Sequence, residues 1–196
     1  MSLDAAGLRE RLKRGPPPAS SVYGDDDANR QALAVVPASV LVPVIDHAAG
    51  LTVLFTLRTA NLRSHSGQVS FPGGRAEPGD PSVEATALRE TEEEIGLARA
   101  RVEVLARMPE YLTRTGYRVT PVVGLIEPPL ALAPDSREVA DVFEVPLGFL
   151  LDPANHRRET RELAGRTVGY YVLQYGDRRI WGATAGMLVN LYRMLS

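Results

Sequence analysis

The chain has 196 residues, 44% of them hydrophobic and 23% charged, with a formal net charge of −2. That length suits one domain with its own core, and the near-neutral balance supplies no general field for nucleic acid. The absence of cysteine excludes disulfides, thiolate metal sites and cysteine nucleophiles together, and is compatible with a reducing cytosol.

In chain order, Leu3 to Arg14 reads as a short amphipathic helix with Leu8 and Leu12 on one side, stopped by Gly15 and Pro16 to Pro18. This polar start does not resemble a signal peptide. No apolar run approaches the ~18 residues that a membrane span needs. The expectation is therefore a cytoplasmic protein with no membrane or nucleic-acid partner. Ala19 to Arg30 reads as an extended or loose segment, with Asp25, Asp26 and Asp27 as a solvated loop. Residues 1–30 thus form a helix and extended segment ahead of one domain over 31–196.

Val35 to Ile45 is rich in β-branched residues and reads as a strand. Asp46 to Gly50 turns it into a hairpin partner, Leu51 to Leu57. Asn61 to Ser66 reads as loop, and Gly67 to Phe71 as a short strand ended by Pro72, Gly73 and Gly74. Pro81 to Ile95 reads as a helix, with Ser82 as N-cap and Gly96 as its stop. Val102 to Met108, Val119 to Ile126 and Val139 to Val145 read as strands, Pro128 to Asp135 as a loop, and Pro146 to Leu151 as a short helix. Arg166 to Gln174 and Arg179 to Trp181 read as a hairpin turning at Gly176 and Asp177. Gly182 to Leu195 closes the chain as a helix. The mixed order predicts one α/β domain. Trp181 and Tyr192 are expected in the core, and His47 and His156 as structural residues.

The chemistry concentrates between Phe71 and Leu97. Arg89-Glu90-Thr91-Glu92-Glu93-Glu94 places five charges in six residues. At about 100° per residue, Glu90, Glu93 and Glu94 share a face, and like charges three or four apart repel. An isolated run of this kind is ordinarily a solvated acidic face. A hard divalent cation would instead draw the carboxylates together, because Mg²⁺ prefers oxygen ligands. Gly73 and Gly74 precede the helix, where a bare backbone can approach a phosphate or pack tightly beneath it. Lys13 is the only lysine, so arginine supplies nearly all the cations, and its planar fork suits phosphate.

These residues resemble the Nudix signature, G-x5-E-x7-R-E-U-x-E-E-x-G-U, where U is aliphatic. Arg89 to Leu97 matches its second half, with Thr91 at one aliphatic position. Gly74 to Arg89 is one residue longer than the general spacing, and Asp80 stands where glutamate is usual. Leu62 to Gly74 (LRSHSGQVSFPGG) further resembles the motif of the coenzyme A pyrophosphatase branch, and Phe55 to Arg58 the strand end that introduces it.

The resemblance implies an α/β/α sandwich with a mixed central sheet and a loop–helix–loop catalytic motif. It implies Mg²⁺, with Mn²⁺ as a substitute, held by Glu90 and Glu94 with Glu93 as a further ligand. Arg89 would hold the constellation together. The base would lie in the signature helix, as Glu93, or in a later loop, where Glu138 is the candidate. Arg58, Arg63, His65, Gln68, Gly73, Gly74 and Arg75 would contact substrate. The implied reaction splits coenzyme A into 3′,5′-ADP and 4′-phosphopantetheine. ADP-ribose or a dinucleotide is the alternative substrate, and a non-catalytic nucleotide sensor the alternative class. A homodimer is left open.

Overall fold

The computed structural model of the chain describes residues 3–15, 35–60, 66–163 and 165–196. The expected extended segment Ala19 to Arg30 and most of the loop from Asn61 to Ser66 lie outside these.

Two long strands carry the architecture. β1 (Val36–His47) and β7 (Tyr117–Ile126) pair in parallel from Val36↔Tyr117 to Ile45↔Ile126. The sequence of each is an almost unbroken apolar run, as expected of strands covered on both faces. Alternation sends their side chains to two clusters. Val42, Val44, Val123 and Leu125 join Leu8 and Leu12 of α1 (Ala5–Lys13) and Leu188 and Leu191 of α4 (Ala183–Leu195). Leu41, Ile45, Val122 and Ile126 join Ala87 and Ile95 of α2 (Val83–Ile95). Helices thus cover both faces, and the chain is an α/β/α sandwich around a mixed sheet. Each fully buried leucine or isoleucine contributes roughly 1.5–3 kcal/mol, so the two clusters dominate its stability.

The remaining strands flank this pair. β2 (Gly50–Arg58) forms the expected hairpin with the end of β1, and β8 (Val139–Pro146) runs antiparallel along its other edge. β5 (Val102–Arg107) and β6 (Tyr111–Leu112) both pair with β7. β3 (Val69–Ser70) pairs with the end of β2, and β4 (Gly73–Arg75) with the start of β1. β1 and β2 share only a short ladder, and their diverging ends receive β4 and β3 respectively. The sequence reading ended the strand at Pro72, Gly73 and Gly74. Here β1 supplies the partner, and close approach favours residues without Cβ.

A second sheet follows the short helix α3 (Leu147–Leu150). It is ordered β11–β10–β9, from β9 (Arg157–Leu163), β10 (Arg166–Tyr175) and β11 (Arg178–Trp181). The β10–β11 hairpin matches the sequence expectation. β9 and β6 do not, because β9 is almost wholly charged and β6 has two residues. Leu173 and Ile180 anchor this sheet in the cluster that holds α1 and α4. Trp181 departs from its expected core position. It is half-buried on the sheet's other face, edge-on to Tyr170 and flanked by Arg161 and Arg179. Tyr192 is also half-buried, edge-on to His156, which bonds the Leu150 carbonyl at 2.7 Å. His47 bonds Glu144 at 2.7 Å.

Both ends of α2 are capped as the sequence predicts. Ser82 Oγ accepts from the Ala85 N–H, and Gly96 turns left-handed at φ 72°. The loop before β8 then satisfies the last carbonyls: Ala133 N donates to Ile95 O at 2.8 Å and Asp135 N to Glu94 O at 2.9 Å. A Cβ on Gly96 would stand 2.8 Å from Ala133 N. Gly96→Ala is therefore expected to destabilise the fold by about 1–3 kcal/mol, from the left-handed backbone and this clash. Urea unfolding checks it, and an unchanged midpoint would contradict the packing of this loop on the helix.

Candidate active site

The site forms where α2 crosses β4. Register places Gly73 beside Val40 and Gly74 beside Ser39. A Cβ on Gly73, whose φ is 150°, would lie 2.4 Å from Ser39 O, and one on Gly74 would lie 2.4 Å from Glu90 Oε2. Only glycine allows β4 to fit between β1 and the helix. Two carboxylates one helical turn apart then rest on this bare backbone: Glu90 lies against Gly74, and Glu94 accepts from the Gly73 N–H at 3.3 Å.

Arg89 holds the acidic face with all five of its N–H donors. Nε and Nη2 grip Asp80 at 3.0 and 2.9 Å, and Nη2 also donates to Arg75 O at 3.0 Å. Nη1 donates to Glu90 at 2.9 Å and Glu93 at 3.0 Å. Asp80 is held in turn by Glu77 N and Thr86 Oγ1, each at 2.9 Å. The acid is one methylene shorter than glutamate and its loop one residue longer, yet it meets the fork bidentately. Its role went unread in the sequence, although an acid six residues after Gly74 and nine before Arg89 is a visible signal.

Arg58, at the end of β2, brings Nη1 to 3.5 Å from Glu94. The Arg58 N–H donates to Gln68 O at 3.0 Å, joining the turn before β3 to this strand. Glu138 stands just before β8, its carbonyl accepting from Thr59 N at 2.9 Å, and its charge acts on both Glu90 and Glu94. Arg75 turns elsewhere: Nε and Nη2 reach the Tyr117 hydroxyl at 3.0 and 2.6 Å. Arg63 and His65 lie outside the described residues. Glu90, Glu94, Gly73, Gly74, Arg58 and Glu138 are thus brought together, Glu93 lies at the rim, and the Arg75 side chain is directed away.

Residues 36–166 match the NUDIX domain family. The chain belongs to the Nudix family. It is 41% identical over 183 residues to a protein of Photorhabdus laumondii named uncharacterized Nudix hydrolase NudL, covering 93% of this chain and 92% of that one. A relative of the same name in Yersinia pestis is 38% identical over 159 residues, covering 81% and 79%. Among solved structures, the Nudix hydrolase RenU of M. smegmatis shares the fold, with a TM-score of 0.50 at 24% identity over 60% of this chain and 74% of that one. Family membership makes the chain a Nudix hydrolase, an enzyme that cleaves phosphoanhydrides. That displaces the non-catalytic alternative.

Burial and neighbouring charges both act on the carboxyls of the Nudix helix. Burial pushes the Glu94 carboxyl up to about 7, with its side chain only 7% exposed. Arg58 and the Gly73 N–H pull it down, while Glu138 and Glu90 push it further up. Burial raises Glu90 as well, against the pull of Arg89. Two carboxyls that resist ionising alone form a hard oxygen donor set that a divalent cation would stabilise. Glu93 is 59% exposed and turned to Arg89. Among the described residues, no three Asp, Glu or His side chains converge as a complete metal cage. Glu90 and Glu94 fit a cation that keeps several waters, as Mg²⁺ does. Among the described residues, the buried Arg58 Nε has no hydrogen-bond partner.

Glu94 also sets a pH dependence. Its folded pKa lies above its ordinary value of 4.5, so in metal-free protein its contribution is full below pH 4.5 and lost as pH rises through about 7. Glu94→Gln removes that loss. The variant is expected to gain stability over metal-free wild type between pH 5 and 8, by up to roughly 3 kcal/mol. Denaturant unfolding in chelator at several pH values measures it, and parallel curves would refute the assigned burial effect.

Proposed function

We propose that this Nudix hydrolase cleaves the diphosphate bridge of coenzyme A or its acyl or oxidised derivatives with Mg²⁺, or Mn²⁺ in its place. The products are 3′,5′-ADP and 4′-phosphopantetheine or its derivative. The observation that carries the chemistry is the pair Glu90 and Glu94 lying over the Gly73–Gly74 backbone beside Arg58. The substrate assignment is favoured by the stretch Leu62 to Gly74, which resembles the coenzyme A branch.

In this reading Glu90 and Glu94 hold the ion, and Glu93 joins them directly or through water. A bound divalent ion supplies charge neutralisation of the diphosphate and acidification of water. Arg89 keeps Glu90 and Glu93 from splaying. The Arg58 guanidinium donates to a phosphate oxygen by a charge-assisted bond, and Gly73 and Gly74 let β4 pack against β1 and Glu90 so that the two carboxylates stay beside it. Glu138 accepts the proton of the attacking water, from a position outside the Arg89 network. Arg63, His65 and Gln68 contact the nucleotide moiety, and Arg75 would have to exchange Tyr117 for the 3′-phosphate.

The test is a substrate panel with products identified by mass. Coenzyme A with Mg²⁺ should give 3′,5′-ADP and 4′-phosphopantetheine with a higher kcat/KM than ADP-ribose or dinucleotides. Faster cleavage of either competitor would reassign the substrate while leaving the hydrolase chemistry standing. Glu94→Gln should lower kcat on any substrate by on the order of 10²-fold or more, with the fold retained by circular dichroism. Near-normal turnover in that variant would remove Glu94 from the metal-binding role.

A further inference from the structure

We infer that the outer edge of β9 is a self-pairing interface, through which two copies of this chain join their three-stranded sheets into one of six strands. Among the described residues β9 pairs with β10 alone, so its other edge presents a ladder for a further strand. Arg157 to Glu162 are all exposed. Ordinary guarding of an edge needs only charge. This edge carries charge in a self-complementary order, Arg157-Arg158-Glu159-Thr160-Arg161-Glu162-Leu163.

Two identical strands related by a two-fold axis pair antiparallel about a single residue, because directly opposite side chains must share a face. Centring on Glu159 sets Glu159 against its own copy and Arg157 against Arg161. Centring on Arg161 sets two arginines together. Centring on Thr160 sets Arg158 opposite Glu162, Glu159 opposite Arg161, and threonine opposite threonine. Of these central registers it alone opposes no like charges; unlike charges meet four times because each pair occurs twice, and Arg157 meets Leu163. Like charges directly opposite destabilise a sheet and unlike charges or paired threonines support it, so sequence order selects one register and one partner.

Contacts within the chain already set these side chains. Arg158 lies over the Tyr171 ring at 5.7 Å, and Arg161 over Trp181 at 5.5 Å. Glu159 bonds Arg179 at 2.5 Å and the Tyr170 hydroxyl at 3.1 Å. Long arginines braced on aromatic rings are partly ordered before the second copy arrives, which lowers the entropic cost of pairing. The sheet opposite Trp181 stays free to pack on its own core through Leu173 and Ile180. A seven-residue strand gives a smaller interface than a standard one, so the dimer is expected to exchange, with a dissociation constant on the order of micromolar.

Sedimentation velocity of the full chain across concentration tests this independently of the catalytic reading. Wild type should show a monomer–dimer equilibrium. Glu162→Arg, which opposes Arg158 with arginine, should weaken the dimer about tenfold or more, with activity and circular dichroism unchanged. The double variant Arg158→Glu/Glu162→Arg, which exchanges the two charges, should restore it. A wild type that stays monomeric to about 100 µM would overturn the inference, since pairing weaker than that falls outside the expected range. So would a dimer indifferent to Glu162→Arg, or one that the double exchange fails to restore.

Discussion

Everything at the site depends on how closely a helix carrying one buried and one half-buried carboxylate approaches the glycine pair of β4. Glu90 and Glu94 would repel each other on a free helix. They are held side by side because α2 rests on Gly73 and Gly74, which leave room for the carboxylates and offer one an N–H. The cost of the arrangement appears as the upward shift of both carboxyls. What the fold stores here is mainly the cost of burying these carboxyls, with like-charge repulsion a smaller part.

Arg89 makes that storage tolerable. A guanidinium with five fixed donors can satisfy a structural acid, a backbone carbonyl and two site glutamates at once; an ammonium with three donors cannot reach them all. Asp80 is the fixed end of this network. Its carboxyl is drawn well below the usual carboxylate range by Arg89 first and by the Glu77 N–H next. An ionised Asp80 keeps the fork aimed at the glutamates on its other branch. The network therefore pairs one branch of Arg89 with an acid held by further donors and the other branch with the helix glutamates.

Much of this was legible because local rules and tertiary packing agree. The helix from its Ser82 cap to Gly96, the hairpin into Leu51, and the apolar runs of β1 and β7 all follow from capping, turn chemistry and two-sided burial. The acidic face was legible from spacing, whereas Glu138 became a candidate only through the family resemblance. The unread parts are those in which distant partners override local preference. Gly73 and Gly74 read as a stop because only β1, more than thirty residues earlier, makes them a strand. β9 has no apolar alternation to betray it; its identity comes from the ladder to β10. Arg75 looked like one member of a phosphate cluster, yet Tyr117 of β7 claims its guanidinium.

The turn that carries Gly73 is itself held from behind. Phe71 stacks on Phe55 with centroids 5.1 Å apart, and Phe55 on Phe143 at 5.7 Å. Arg178 of β11 lies 4.6 Å over Phe143 and bonds Asp141 at 2.6 Å. This column crosses three strands and ends in the second sheet. Face-packed rings resist sliding more than aliphatic contacts do, and aromatic pairs add about 0.5–1.5 kcal/mol beyond their burial. Phe71 is thereby fixed on the side of the sheet that α1 and α4 cover. Two residues later, Gly73 meets the carboxylates on the opposite side. The aromatic core and the acidic site are two faces of one short segment, so packing on the α1 and α4 side bears on where Gly73 meets Glu94.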